Sequence, residues 1–334
     1  MPRPLTDWRA LEVPLLNIAS YARRGPGRRD RLSRGEVELI ARTAGRTPEV
    51  MVKVLSRGGQ DLKAVRRHLD YLRDRDEGEL AIETDDGERL TGRDAAADLL
   101  EDWNLDLQEH RHRWDLDGRG RPSTKLVHKL MFSMPVGTPP RKVLEAVKNF
   151  AREEFALKHR YAMVLHTDEP HPHVHMVVRA VSEQGERLHI RKVTLRGWRR
   201  EFARHLRAVG VRANATERAA RGENRSPKLD GIYRADQRGE SYRVCARMEE
   251  VDRELRTGRF RAEPGKETLI ETRRQVERGW REVGEILAAQ GQKELAKEVM
   301  RFAGRIPPPR TDRETIAEGL REHHRERAPE GPVR

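Results

Sequence analysis

The stretch RYAMVLHTDEPHPHVHMVV, residues 160–178, constrains the fold more than any other part of the chain. Two apolar runs of strand length, YAMVLH and HVHMVV, are joined by six residues that include Pro170 and Pro172. So short a connection brings the second run back antiparallel to the first. Side chains on a strand alternate between faces, so His173 and His175 share one face while Val174, Met176 and Val178 take the other. His166 ends the first run and falls opposite His173. His171 has the same parity, but an extended chain puts it ~13 Å from His175 at ~3.3 Å per residue, too far to share an ion bound at ~2.1 Å. His166, His173 and His175 therefore converge on one point. Three imidazoles with coordination positions left open describe a catalytic rather than a closed structural site, and they suit Mn, Zn, Ni or Co. Asp168 stands where it could hold a ligand ring through its second N–H.

The rest of the chain narrows the substrate. Lys and Arg outnumber Asp and Glu by 68 to 55, a net charge of +13 that points to a polyanionic partner, nucleic acid first. A single cysteine, Cys245, excludes an internal disulfide and a cysteine zinc site and suits a reducing compartment. No apolar run reaches the ~20 residues of a membrane span, and the opening MPRPLTDWRALEV lacks the apolar core of a secretory signal. The expectation is a cytoplasmic protein without membrane insertion.

The pattern along the chain predicts four regions. Residues 1–46 form a basic N-terminal arm, 47–212 the main domain, 213–240 a charged connector, and 241–334 a helical region with a loose tail of about 20 residues. Within the main domain, EVMVKVLS reads as a strand, RGGQ as a turn and DLKAVRRHLDYLRDR as a helix begun by Asp61. GELAIETDDGERLTG alternates around an Asp-Gly turn and reads as a hairpin, followed by a helix over 93–104. STKLVHKLMFSMP reads as a strand. PPRKVLEAVKNFAREEFA reads as a helix with Val143, Val147, Phe150 and Phe155 on one side. After the histidine strands, ERLHIRKV looks like a third strand, and TLRGWRREFARHLRAVG is an amphipathic helix stopped by Gly210. Beyond the connector, helices are expected at 241–257, 265–290 and 292–303.

An ion with open positions beside a basic surface suggests a phosphodiester substrate, polarised through its non-bridging oxygens. A nucleophile is then needed. On the helix begun by Asp61, the residues Leu62, Val65, Leu69 and Leu72 share one arc, and Tyr71 lies well over 100° from its centre, between Arg67 and Arg75. A tyrosine turned away from the core and flanked by two arginines able to hold phosphate is a candidate nucleophile. His68, one turn earlier, is a candidate for taking or positioning its proton.

These residues carry a resemblance. HTDEPHPHVHMVV is similar to the third motif of the relaxases, the mobilisation nucleases of conjugative plasmids within the HUH endonuclease superfamily. The motif H-x-D-x4-H-x-H is filled by His166, Asp168, His173 and His175. The segment VMVKVLSRGGQDLKAVRRHLDYLRDRDEGEL resembles the family's first motif, with Tyr71 at the tyrosine position. LMFSMPVGT and ERAARGENRSP echo the MobP branch, with its MobA-like and VirD-type members. Where family members often have an acid and an asparagine, this chain has Pro170 and Arg179, and Arg179 is a candidate for the DNA backbone. The resemblance implies that Tyr71 attacks single-stranded DNA at a transfer origin, leaving a 5′-phosphotyrosyl end and a free 3′-hydroxyl, and that religation is the reverse. It implies a divalent ion, Mn or Mg with Zn, Ni or Co as alternatives. It also implies accessory nicking proteins, a coupling ATPase and a type IV secretion channel as partners.

The fold class expected is α+β: a largely antiparallel sheet with helices packed on one face, relaxase-like, and a helical C-terminal region. Rival readings are a rolling-circle replication initiator of the same superfamily, a non-catalytic DNA-binding accessory, and a nuclease that uses water in place of Tyr71.

Overall fold

The computed structural model describes residues 18, 30–55, 59, 61–74, 81–105, 125–223 and 241–327. The chain divides into two compact units, one holding the described residues from Arg46 to Ala215, the other those up to Gly45 and from Thr216 onward.

The first unit is α+β, as expected. Its elements are β1 (Met51–Leu55), α2 (Leu62–Arg73), β2 (Ile82–Thr84), β3 (Arg89–Leu90), α3 (Ala95–Asp102), β4 (Val127–Ser133), α4 (Pro140–Phe155), β5 (Tyr161–His166), β6 (His173–Arg179) and α5 (Lys192–Ala208); α1 belongs to the second unit. The six strands form one sheet in the order β1-β4-β6-β5-β2-β3. Every pairing in it is antiparallel. Strand alternation divides the two faces. Leu130, Phe132, Met163, Val174, Met176 and Val178 pack with Val143, Val147 and Phe150 of α4 and with Trp198, Phe202 and Leu206 of α5. Pro140 sits in the first turn of α4, where its missing N–H has no helical partner to lose.

The opposite face carries the histidines and has helices of its own, an addition to the single covered face expected. Val127, Ala162, Val164 and Val177 pack there with Val65, Leu69 and Leu72 of α2 and with Ala95, Ala96 and Leu99 of α3. Asp61 caps α2 by accepting the Ala64 N–H at 2.7 Å. Gly59 lies so close to β4 that a Cβ there would stand 2.5 Å from the Val127 carbonyl oxygen, which is why this position needs glycine; the rest of the expected RGGQ turn lies outside the described residues. The hairpin forms as expected, with Gly87 at φ 94° in its turn.

One expected strand is absent. ERLHIRKV contributes only an isolated bridge, Val181 with Arg187. The sheet order explains this: β6 already has β4 on one side and β5 on the other, so no ladder is open to the run that follows it. Leu188 and Ile190 pack against the core instead.

The second unit is helical. Residues 34–44, expected to be part of a basic arm, form α1 (Arg34–Ala44), with Ser33 and Glu36 making a capping box. Ile40 of α1 shares a core with Trp280, Val283 and Leu287 of α7 (Lys266–Ala289) and with Val299 and Phe302 of α8 (Lys293–Gly304). Leu32 and the Gln290 side chain exchange two hydrogen bonds, at 2.9 and 3.0 Å. The helices expected at 241–257, 265–290 and 292–303 are α6 (Tyr242–Thr257), α7 and α8. The tail expected to be loose contains α9 (Asp312–Arg327), where Arg313 pairs with Glu250 and Glu254 of α6 at 3.2 and 2.5 Å. Both the arm and the tail are rich in charge, so composition hid their helices. No helix among the described residues is long and apolar enough to cross a membrane.

Candidate metal centre

The two strands that bear the histidines are in the register expected from their parity: His166 pairs with His173, and Val164 with His175. The three rings share the face under α2, with centroids 5.2 Å (His166–His173), 4.8 Å (His166–His175) and 5.2 Å (His173–His175) apart. All three are buried, His166 completely. One ring nitrogen of each lies within 4.8 Å of one from each of the others. Two nitrogens bound to one ion at ~2.1 Å stand about 3.4 Å apart in tetrahedral geometry, so about an ångström of closure brings the set onto an ion.

Backbone carbonyls set two of the tautomers. His166 Nε2 lies 2.9 Å from the Leu72 oxygen at the end of α2, and His173 Nδ1 lies 2.9 Å from the His171 oxygen. A carbonyl only accepts, so each of these nitrogens carries the proton. Nδ1 of His166 and Nε2 of His173 keep their lone pairs for an ion. The donor set, three imidazoles of which two are held from behind by backbone carbonyls, fits a divalent transition metal.

This hydrogen bond from His166 also ties the centre to the helix that bears Tyr71, since Leu72 is the next residue. Tyr71 is 51 % exposed, consistent with its place off the core arc. His68, three residues earlier, approaches the triad, with its ring centroid 6.2 Å from that of His175. Burial, then the charge of Lys129, holds the His68 pKa down at about 4. Arg73, unremarked in the sequence, fixes the end of α2. Its buried guanidinium donates to the carbonyls of Gly92 and Arg93, both at 2.8 Å, and pairs with Asp74.

The remaining expected site residues are Asp168, Arg67, Arg75 and Arg179. Asp168 is exposed in the β5–β6 connection, and two backbone carbonyls hold the rings of His166 and His173. Arg67 is exposed on α2 and donates to the Lys63 carbonyl at 3.3 Å. Arg75 lies outside the described residues. Arg179 shares the histidine face but stands four residues beyond His175, ~13 Å away at ~3.3 Å per residue. Its guanidinium pairs with Glu183 at 2.7 Å.

A second histidine–acid cluster, Glu153, Glu201 and His205, lies between α4 and α5. It differs in kind, because the Arg204 guanidinium already binds Glu153 at 2.5 Å and Glu201 at 2.7 Å. The triad is the stronger candidate to hold an ion.

Residues 71–210 match the family model Relaxase: MobA/VirD2-like, nuclease domain. The match covers less than half of the chain, opening at Tyr71 and closing on the Gly210 that follows α5. It supports a relaxase family and a DNA endonuclease activity. The histidine triad lies inside this relaxase-type region, as do β2–β6, α4 and α5. No curated protein matches the chain.

Proposed function

We propose that the protein is a DNA relaxase of the MobP branch, which nicks one strand at a plasmid transfer origin through Tyr71 and religates it. The observation that carries this reading is the bond from His166 to the Leu72 carbonyl, which joins a three-imidazole centre to the helix turn bearing Tyr71.

In this reaction the Tyr71 oxygen attacks phosphorus, an Oη–P bond forms and the P–O3′ bond breaks. The phenolic proton is given up, and the departing 3′ oxygen takes one. One phosphodiester is exchanged for another, so the bond energy is kept for rejoining. His166, His173 and His175 hold the divalent ion, Mn or Mg with Zn, Ni or Co as alternatives. When bound, that ion polarises a non-bridging oxygen as a Lewis acid. Burial of the three rings holds them in place. His68 positions the tyrosine, Asp168 supports the ligand set from the connection, and Arg67, Arg75 and Arg179 hold flanking phosphates. The same reading makes the protein cytoplasmic. Accessory nicking proteins, a coupling ATPase and a type IV secretion channel would be its partners in conjugative mobilisation.

The test is a denaturing gel of protein incubated with labelled single-stranded oligonucleotides from the element's transfer origin, with Mn²⁺ or with chelator, beside Tyr71→Phe. A metal-dependent covalent band on the 3′-side fragment, lost in the variant, is expected. Free nicked DNA without an adduct would assign a nuclease that uses water, and binding without cleavage an accessory protein.

A further inference from the structure

Strand register puts one more cation on the histidine face. Side chains at 129, 131 and 133 of β4 share that face, with Ser133 beside His173, Met131 beside His175 and Lys129 beside Val177. Lys129 is therefore one pleat, ~7 Å, along the strand from the row of His175. On its other side stands Leu55 of β1, and the next row along β1 holds Lys53, which is exposed.

Lys129 is an unusual residue for such a place. Only 5 % of it is exposed, and no ion pair among the described residues holds its ammonium. A lysine buried along its stem reaches solvent at its tip. Burial depresses its pKa to about 8, with the charge of Asp61 acting weakly the other way, and its own charge in turn disfavours protonation of His68. Register puts Lys129 on the histidine face, and with a pKa of about 8 its ammonium remains charged at neutral pH. A lysine buried along its stem, with no ion pair at its ammonium among the described residues and Asp61 acting only through its charge, costs the fold desolvation that a methionine of similar volume would not. The arrangement makes sense if the counter-ion arrives with the substrate.

We propose that Lys129 is a phosphate-holding residue whose ammonium binds a phosphodiester of the single strand next to the one at the histidine centre, positioning the strand across β4. The proposal rests on the relaxase reading. It adds a determinant that the sequence motifs do not contain, since Lys129 belongs to an ordinary alternating strand.

The experiment measures binding of a fluorescent single-stranded oligonucleotide over a series of KCl concentrations, with chelator present, using full-length Tyr71→Phe protein so that no covalent reaction intervenes. Into that background go Lys129→Met, Lys129→Arg and, as the exposed neighbour, Lys53→Met, with Tm recorded for each. Lys129→Met is expected to weaken binding about 10- to 100-fold, as loss of a charged hydrogen bond does. It should also flatten the slope of log K against log salt by about 0.7, the value for one phosphate contact on a single strand. Its Tm should be equal to or above that of the parent, Lys129→Arg should restore much of the affinity, and Lys53→Met should change it less. Unchanged binding in Lys129→Met, or a lowered Tm with an unchanged salt slope, overturns the proposal and makes Lys129 a structural residue. A parent protein that binds no single-stranded DNA overturns the relaxase reading itself, and the Lys129 role with it.

Discussion

Acid should loosen the first unit through a histidine that has nothing to do with the metal centre. His128 lies on β4, on the face away from the triad, and its Nε2 is 3.0 Å from the Leu188 carbonyl oxygen, to which it donates. Burial is the main force on this ring and pushes its pKa down to about 4; Lys125, Arg187 and His159 press the same way, and only the bond to Leu188 opposes them. The folded pKa lies below the unfolded one, so the unfolded chain binds the extra proton. Stability is then complete above about pH 6.5 and falls as pH drops from there toward 4. Taking 6.5 for the unfolded ring and 4 for the folded one, moving from pH 7.5 to pH 5 costs about 2 kcal/mol at this residue alone. His128→Gln retains an N–H able to reach the Leu188 oxygen and removes the titration. Native-state amide exchange in β4 and β6, corrected for intrinsic rate, should therefore show wild type losing about 2 kcal/mol more than the variant between those two pH values. If the two proteins follow each other within about 0.5 kcal/mol, the ring is not held neutral by burial and the reasoning fails.

Two further outcomes test the centre and its support. Adding Mn²⁺ or Zn²⁺ at about a hundredfold its dissociation constant should stabilise wild type by about 2.7 kcal/mol in thermal unfolding, and His173→Ala should abolish that shift. An equal shift in the variant would put the ion elsewhere. Gly59→Ala sets a methyl 2.5 Å from the Val127 carbonyl oxygen, a backbone atom that cannot step aside. A loss of about 1–3 kcal/mol in urea unfolding is expected, and a neutral result would show that the backbone at Gly59 relaxes freely.

Local pattern carried much of this protein. A period of two in YAMVLH and HVHMVV, with a six-residue connection between them, determined that His166 faces His173, because parity along a strand and a short antiparallel return leave little freedom. The apolar arc of α2 likewise left Tyr71 outside the core, and Asp61 marked the helix start. These are near-neighbour effects, set within one element or one turn. What the sequence left undetermined depends on partners distant along the chain. ERLHIRKV has the composition of a strand, but whether it pairs depends on which strands flank β6, and both sides were taken. The charged segments around α1 and α9 have little apolar signal of their own. Their helices are held in place where Ile40 shares a core with Trp280 and Phe302 and where Arg313 pairs with Glu250 and Glu254. Nothing in the strand pattern singles out Lys129; the register of β4 on β6 puts it on the histidine face, where it is buried. Sequence alone determined which side chains share a face, since that follows from backbone period. Tertiary structure decided which faces meet and which charges become buried, since burial is a property of the whole packed chain.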